Sequence, residues 1–550
     1  MAGQDDASEL IARHATDDLG GAPDAEPPIA QEPAAAKPPT TGRSAALVTA
    51  GIILSRLFGL VRQRLVGHYF GLSAYADVLA VAFRIGNITQ NLLGEGTLSA
   101  SFIPIYAKSR AAGKTAEATR FALAALGFLL LAAGCASAVG VILAPLLTRV
   151  IASGFEGERF ELTTQAVRIL FPMTGLLVLS AWGLGVLNAH RRFFLPYAAP
   201  VLWSVAQIAA LVIFGEGLGQ RGEPLMMALI WGALAGAVLQ LAVLLPAARA
   251  LLGGLRPHLD KSDPNLREAV KRLPGVLLGR GVVQLSGLID TGLVSFLGAG
   301  DQAVMGAAQL IYLLPMSVLG TGEAAASLPE MASDTADEDP ERRNASLRKR
   351  LGSSLARVTV LTVPATLVLA LLGGEVIRVL LQSGSFDRSA TERVESVVTA
   401  YAFALLGNAS ARVLTTTAYA LGDTKTPARY AIYRVIASTA GSLVLMQWLG
   451  VVGVVIGAVI AAWVETIALG RKLGRELGGL GLEQIRAGRV AALGAISIAP
   501  ALVLKHVLPV EFEQSFVGSA LVLAVFGGAF AVAAPALGLF DLRSLLRRRR

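Results

Sequence analysis

Long, predominantly apolar runs recur along the chain, with short polar breaks between them. They fall at 44–70, 75–107, 118–146, 162–189, 195–215 and 224–252, then at 268–298, 302–333, 354–374, 395–421, 428–449 and 451–471, and finally at 488–508 and 515–540. A helix needs about 20 such residues to cross a bilayer, and each run is long enough. Barrel strands would need polar lumen positions alternating with apolar ones, which continuous runs do not supply. The pattern predicts an all-α polytopic membrane protein with about fourteen transmembrane helices. Residues 1–43 are rich in Ala, Pro, Asp and Glu and lack apolar periodicity, so they read as a disordered cytoplasmic tail.

The chain echoes itself. TRVIASGF around Arg149, Ala189 and Pro196 are answered by IRVLLQSGSF from Ile377, Ala420 and Pro427, with Phe155 to Phe386, Ala189 to Ala420 and Pro196 to Pro427 at one constant offset. Six spans, an even number, separate the partners, so the echo predicts two parallel six-helix repeats plus two C-terminal helices. The expected units are the tail at 1–43, an N-terminal lobe at 44–252, a C-terminal lobe at 253–475, and the last two helices with a basic tail at 476–550. A central cavity is expected where the lobes meet.

Polar breaks inside the runs carry the functional signal, because an intramembrane charge normally faces a bundle interior or a wet cavity. The first span holds Arg56, Arg62 and Arg64. At about 100° per residue, Arg56 and Arg62 lie about 120° apart, so one face receives both only if the helix bends at Gly59. On the second span, Asp77, Arg84, Asn87, Asn91 and Glu95 fall within a sector of about 80°, a polar stripe suited to lining a cavity or to a seam between helices. Arg280, Gln284, Thr291 and Ser295 form a comparable stripe on the seventh span, with Asp290 to one side. The eighth adds Gln309, Tyr312 and Glu323. Guanidinium forks match phosphate oxygens, so a cavity holding Arg56, Arg62, Arg84 and Arg280 suits a diphosphate headgroup.

Composition narrows the picture. Hydrophobic residues make up 54% and charged ones 16%, which excludes an ordinary water-soluble enzyme with its roughly one-quarter charged residues. The net charge of +9 is resolved by position: short loops at 108–120, 191–192, 256–272, 342–350 and 471–475, with the terminal arginines, are rich in Lys and Arg. The turns near Gly71, Gly300 and Gly450 have none. That asymmetry puts both termini in the cytoplasm and makes the basic clusters topology and lipid anchors rather than nucleic-acid sites. His14, His68, His190, His258 and His506 are scattered without triad or metal spacing. Cys135 has no second cysteine and reads as a small buried residue. No catalytic constellation and no nucleotide-binding loop emerges, so energy for transport must come from a gradient or the membrane potential.

ILSRLFGLVRQRLVGHYFG, then AYADVLAVAFRIGNITQNLLGEGTLSASFIPIYAKS, LNAHRRFFLPYAAPVLW, QLSGLIDTGLVSFLGAG and YALGDTKTP resemble the MviN/MurJ-type lipid II flippases of the multidrug/oligosaccharidyl-lipid/polysaccharide exporter superfamily. The resemblance spans residues 44–540. It implies a secondary-type transporter of the bacterial cytoplasmic membrane, not an enzyme, that moves the undecaprenyl-diphosphate-linked peptidoglycan precursor lipid II between leaflets by alternating access. It also implies that Arg56 and Arg62 attract the headgroup and that Asp77 and Glu95 match acidic second-span positions. Gln90 and Leu310 stand where the family has further arginines, and Gln63 where it has an acid; Arg84 and Arg280 are the neighbouring charges that would compensate. Some members hold a sodium ion, which implies Asp290 as a metal ligand and sodium or proton coupling, although Ser438 and Ser442 replace carboxylates on the eleventh span and Glu465 sits on the twelfth. Export of another polyprenyl-diphosphate saccharide, or a non-transporting scaffold recruiting cell-wall synthesis proteins, are the competing readings.

Overall fold

The computed structural model describes residues 42–94, 98, 101–192, 194–260, 262–334 and 339–539. The N-terminal tail, Glu95, and the side chains of Arg280 and Glu323 lie outside the described residues. The chain is all-helical: α1 (Gly42–Phe70), α2 (Ala74–Leu93), α3 (Ile103–Ala111), α4 (Thr115–Ile142), α5 (Ala144–Ile151), α6 (Gly157–Ala189), α7 (Phe194–Ala210), α8 (Gly222–Leu252), α9 (Pro264–Ser295), α10 (Asp301–Asp334), α11 (Pro340–Leu371), α12 (Gly373–Leu380), α13 (Arg388–Ala420), α14 (Lys425–Glu476), α15 (Ala487–Val507), α16 (Val510–Glu513) and α17 (Phe516–Ala536).

Among the described residues, 9 helices are long and apolar enough to cross a membrane. Four further helices, α1, α2, α9 and α10, have the length as well and carry the polar residues singled out above. The 52-residue α14 is a hairpin: Gly450 adopts φ 54°, ψ −132°, and Ser442 Oγ donates across the fold to Val454 O at 2.8 Å. Only a residue without Cβ takes that backbone readily, so the turn falls where the sequence placed the break between two spans.

The echo reappears in the helices. α6 and α13 are each 33 residues long, and their ends are separated by the same offset that separates Phe155 from Phe386. Each is preceded by an amphipathic eight-residue helix, α5 or α12. Close packing rather than bulk hydrophobicity holds such helices together in lipid. At Gly140 a Cβ would meet the Phe171 ring at 2.1 Å, so this glycine lets α4 close on α6. Trp182, fully buried in α6, places its indole N–H on Ala122 O at 3.0 Å.

Two buried clusters fill the first half, one around Phe121 and Trp182, the other around Ile85 and Leu225, while a third around Val394 and Val413 fills the second. α9 divides its packing: Leu266 and Ala269 join the first half, and Val294 joins the second. Small clusters around Leu493 and Ala501 seat α15 and α17 against α11. Cys135, expected to be buried, is exposed, because α4 turns Ala125, Leu126, Leu129 and Ala133 inward and leaves Cys135 on its outer face.

Between α13 and α14, burial alone would push the Asp423 carboxyl up, but Lys472 and Thr426 outweigh it and hold the group at about 2. The folded value is thus depressed from 3.8, so its stabilisation is present above that value and lost as pH falls through about 2. Lys472→Ala is expected to lower the Tm in detergent at neutral pH, with the gap to the parent protein narrowing across that window; a pH-independent gap would argue against the pair.

Candidate functional site

At one end the two halves meet through polar contacts of the chain. Ser73 caps α2 by accepting from Ala76 N at 3.4 Å, which sets Asp77 in the first turn. Its fully buried carboxylate does not face α2's own amides. It reaches the other half, where Oδ2 accepts from Gly300 N at 2.7 Å and Oδ1 from Ala303 N at 3.0 Å, capping the start of α10. A carboxylate at a helix N-terminus satisfies open amides and opposes the positive dipole end. Arg159 lies 3.8 Å from the same carboxylate, Arg393 binds Asp301 at 2.9 Å, and Gly154 N donates to Ser295 Oγ at 2.9 Å. At the opposite, basic end, Arg110 to Ala189 O and Arg348 to Gly478 O stay within one half, while Asn265 Nδ2 to Glu117 joins the start of α9 to α4 at 3.2 Å.

Halfway along the helices, Arg84 bridges the halves. Nη1 donates to Gly287 O at 2.9 Å, and Nη2 donates to Gln309 Oε1. Gln309 Nε2 donates to Tyr401 OH at 3.2 Å, Tyr401 stacks on Tyr312 with centroids 4.9 Å apart, and Asn408 donates to Tyr312 OH at 2.7 Å. Asp290, nearly one turn beyond Gly287, feels Arg84 from the first half and Arg434 from the second. Arg434 in turn binds Glu465 at 3.1 Å.

Arg62 takes a different environment. α1 is one continuous helix through Gly59. Arg62 therefore stacks over Trp203 of α7 at 4.6 Å, and Trp203 meets Phe83, the neighbour of Arg84, edge-on at 6.3 Å. Arg62 Nη1 and Trp203 Nε1 are both buried with no hydrogen-bond partner among the described residues. Leaving a buried donor unsatisfied costs about 1–3 kcal/mol, more for a charge, so two together mark a place suited to an acceptor-rich anion.

Of the expected residues, Arg84, Gln309, Tyr312 and Asp290 are gathered at mid-depth. Asn87, Asn91 and Gln284 are half-buried, Arg56 is exposed, and Asp77 belongs to the closed end rather than to an open stripe. The sequence reasoning passed over Trp203, Tyr401 and Asn408, which carry no charge to betray them, and Arg434, which did carry the intramembrane-charge signal. Among the described residues no three His, Cys, Asp or Glu side chains gather, Ser442 already serves Val454, and the charges acting on Asp290 are two arginines.

The family model described as lipid II flippase MurJ matches residues 66–526. The chain belongs to that family. A probable lipid II flippase MurJ of Rhizobium tropici is 32% identical over 424 residues, covering 76% of this chain and 77% of the relative. The lipid II flippase MurJ of Burkholderia cenocepacia is 30% identical over 435 residues, covering 78% and 82%. In fold, the chain is similar to a solved lipid II flippase MurJ in an inward closed conformation, with TM-score 0.72 at 19% identity over 90% of this chain and 99% of that one. It is also similar to an inward-facing multidrug resistance MATE transporter, with TM-score 0.60 at 18% identity over 81% and 98%. Family membership and the apolar helices make this a multi-pass protein of the bacterial inner membrane.

Asp77→Ala leaves the Gly300 and Ala303 amides without their acceptor and is expected to cost about 1–3 kcal/mol. Amide hydrogen exchange at 298–304 is the measurement: faster exchange supports the trans cap, and parental protection would refute it.

Proposed function

We propose that the chain carries lipid II from the inner to the outer leaflet by alternating access between its two halves. The observation that carries this reading is the Arg62–Trp203 stack, with its two unsatisfied buried donors, beside a mid-depth seam bridged by Arg84. A diphosphate offers oxygens to both donors. The bulk of the headgroup would lie against the half-buried amides of Asn87, Asn91 and Gln284. Arg56 adds positive charge at the exposed part of α1. The protein needs no covalent chemistry for this. Binding energy and the switching of halves suffice.

Orientation belongs to the same proposal. With the basic loops in the cytoplasm, both termini are cytoplasmic and the Asp77 end faces outward, so the arrangement described is closed to the outside. Outward release then requires the Gly300 and Ala303 amides to leave Asp77. Energy is supplied by the membrane potential or by protons rather than by sodium, a reading supported by the arginines around Asp290.

Reconstituted vesicles with labelled lipid II test these statements. Arg62→Ala is expected to slow translocation by about 10- to 100-fold, the range of a charge-assisted hydrogen bond. Trp203→Phe, which keeps the ring but removes its donor, is expected to weaken lipid II binding by less. Unchanged binding and rate in Arg62→Ala would refute the site. A parent protein that moves a different polyprenyl-diphosphate saccharide but not lipid II would replace the substrate. Exchanging sodium for choline is expected to leave the rate unchanged, and a sodium requirement would overturn the coupling reading.

A further inference from the structure

α12 and the turn after it are gripped from two sides by groups that the transport path does not use. On one side stands α1. Arg64 Nη1 donates to Val379 O at 2.6 Å and Nη2 to Gln382 O at 3.0 Å, so a guanidinium of the first half caps the carbonyl end of a helix in the second. Next to it, Ser385 N donates to His68 O at 2.8 Å. Arg64 is half-buried, and two carbonyl acceptors beside the Phe516 ring, 5.8 Å from its guanidinium, account for its position without any substrate.

On the other side stands the C-terminal helix pair. Glu375, with no exposed side-chain surface, accepts from Lys505 of α15 at 2.9 Å and lies 3.3 Å from Arg378. Arg378 lies 3.3 Å from Glu513 of α16 and donates to Ser519 Oγ of α17 at 3.1 Å. Arg388, just past the turn, donates to Gln514 at 2.8 Å. Glu375, Arg378, Glu513 and Lys505 are 0–23% exposed, so removing one leaves its partner charged in a poorly hydrated place, unlike a solvated surface pair.

We infer that α12 is a coupling arm whose positioning residues, Arg64 on one face and Glu375 with Arg378 on the other, make opening of the outer end and displacement of the C-terminal helix pair a single motion. When the outer end opens, α1 withdraws from the second half. Arg64 then has to release two carbonyls, whereas the Glu375–Lys505 and Arg378–Glu513 pairs are internal to the part that moves. α12 therefore leaves together with α15–α17. The C-terminal pair is thereby set in position by the state of the gate, although it touches neither Asp77 nor Arg84. The inference rests on the alternating-access reading only for the statement that this end opens.

Hydrogen exchange of the full chain in nanodiscs tests it, with peptides covering 298–304, 381–387 and 509–519. Arg64→Ala is expected to speed exchange at 381–387 and 509–519 by roughly tenfold. Arg64→Lys, which keeps the charge but loses the fork, should restore part of the protection. Lys505→Ala, which touches nothing in the first half, should also speed exchange at 381–387 and at 298–304. A merely structural lysine would loosen only its own neighbourhood, so parental exchange at 381–387 and 298–304 in Lys505→Ala would overturn the coupling. If Lys505→Ala does not fold, Ser519→Ala removes one acceptor of Arg378 and is read by the same criterion. Coupled exchange in a protein that moves no lipid II would refute the proposed substrate and leave the arm standing; normal lipid II transport with uncoupled exchange would do the reverse.

Discussion

An ionised side chain within hydrocarbon must turn toward the protein interior and find a partner there. Arg84 obeys by crossing to Gly287 O and Gln309, and in doing so ties α2 of one half to α9 and α10 of the other. Arg434 obeys locally, through Glu465. Arg62 obeys only in part: its charge spreads over Trp203, but one nitrogen has no acceptor among the described residues. The arrangement of polar helices around a shared seam follows from these requirements, and the remaining helices close around them with small-residue contacts such as Gly140 on Phe171.

The ends of the bundle are held by a second kind of interaction, charge placed at a helix terminus in trans. Asp77 serves the amide end of α10, and Arg64 serves the carbonyl end of α12. Signs match the dipoles in both cases. Such caps are strong while aligned and are released by a small displacement, because a hydrogen bond weakens steeply with distance and angle. A junction of this kind opens and closes without unpacking a hydrophobic core, which suits two halves that exchange between closed and open ends.

Much of this was legible in the chain. The break at Gly450 and the paired helices α6 and α13 follow from hydropathy and the internal echo, which report local backbone preference. Intramembrane charge drew attention to Arg62, Arg84 and Asp290. The helical wheel, however, grouped Asp77 with Arg84 on one stripe, since a wheel records angle and ignores depth. Asp77 lies at the rim and Arg84 in the middle, so a single face of α2 does two jobs. Arg56 and Arg62 could share one face only through a bend at Gly59; α1 is one continuous helix, and they occupy different surroundings, Arg56 exposed and Arg62 half-buried.

The sequence by itself determined the helices, their membrane setting and the types of charge available, because those depend on residues close together in the chain. Tertiary structure alone decided which carbonyl or amide each charge answers to. Arg64 and Val379, Asp77 and Gly300, or Glu375 and Lys505 are far apart along the chain, and nothing in their local patterns names the partner. It also decided that the apolar excess noted at the outset is organised around a few unsatisfied donors, since only packing shows which buried nitrogen has been left without an acceptor.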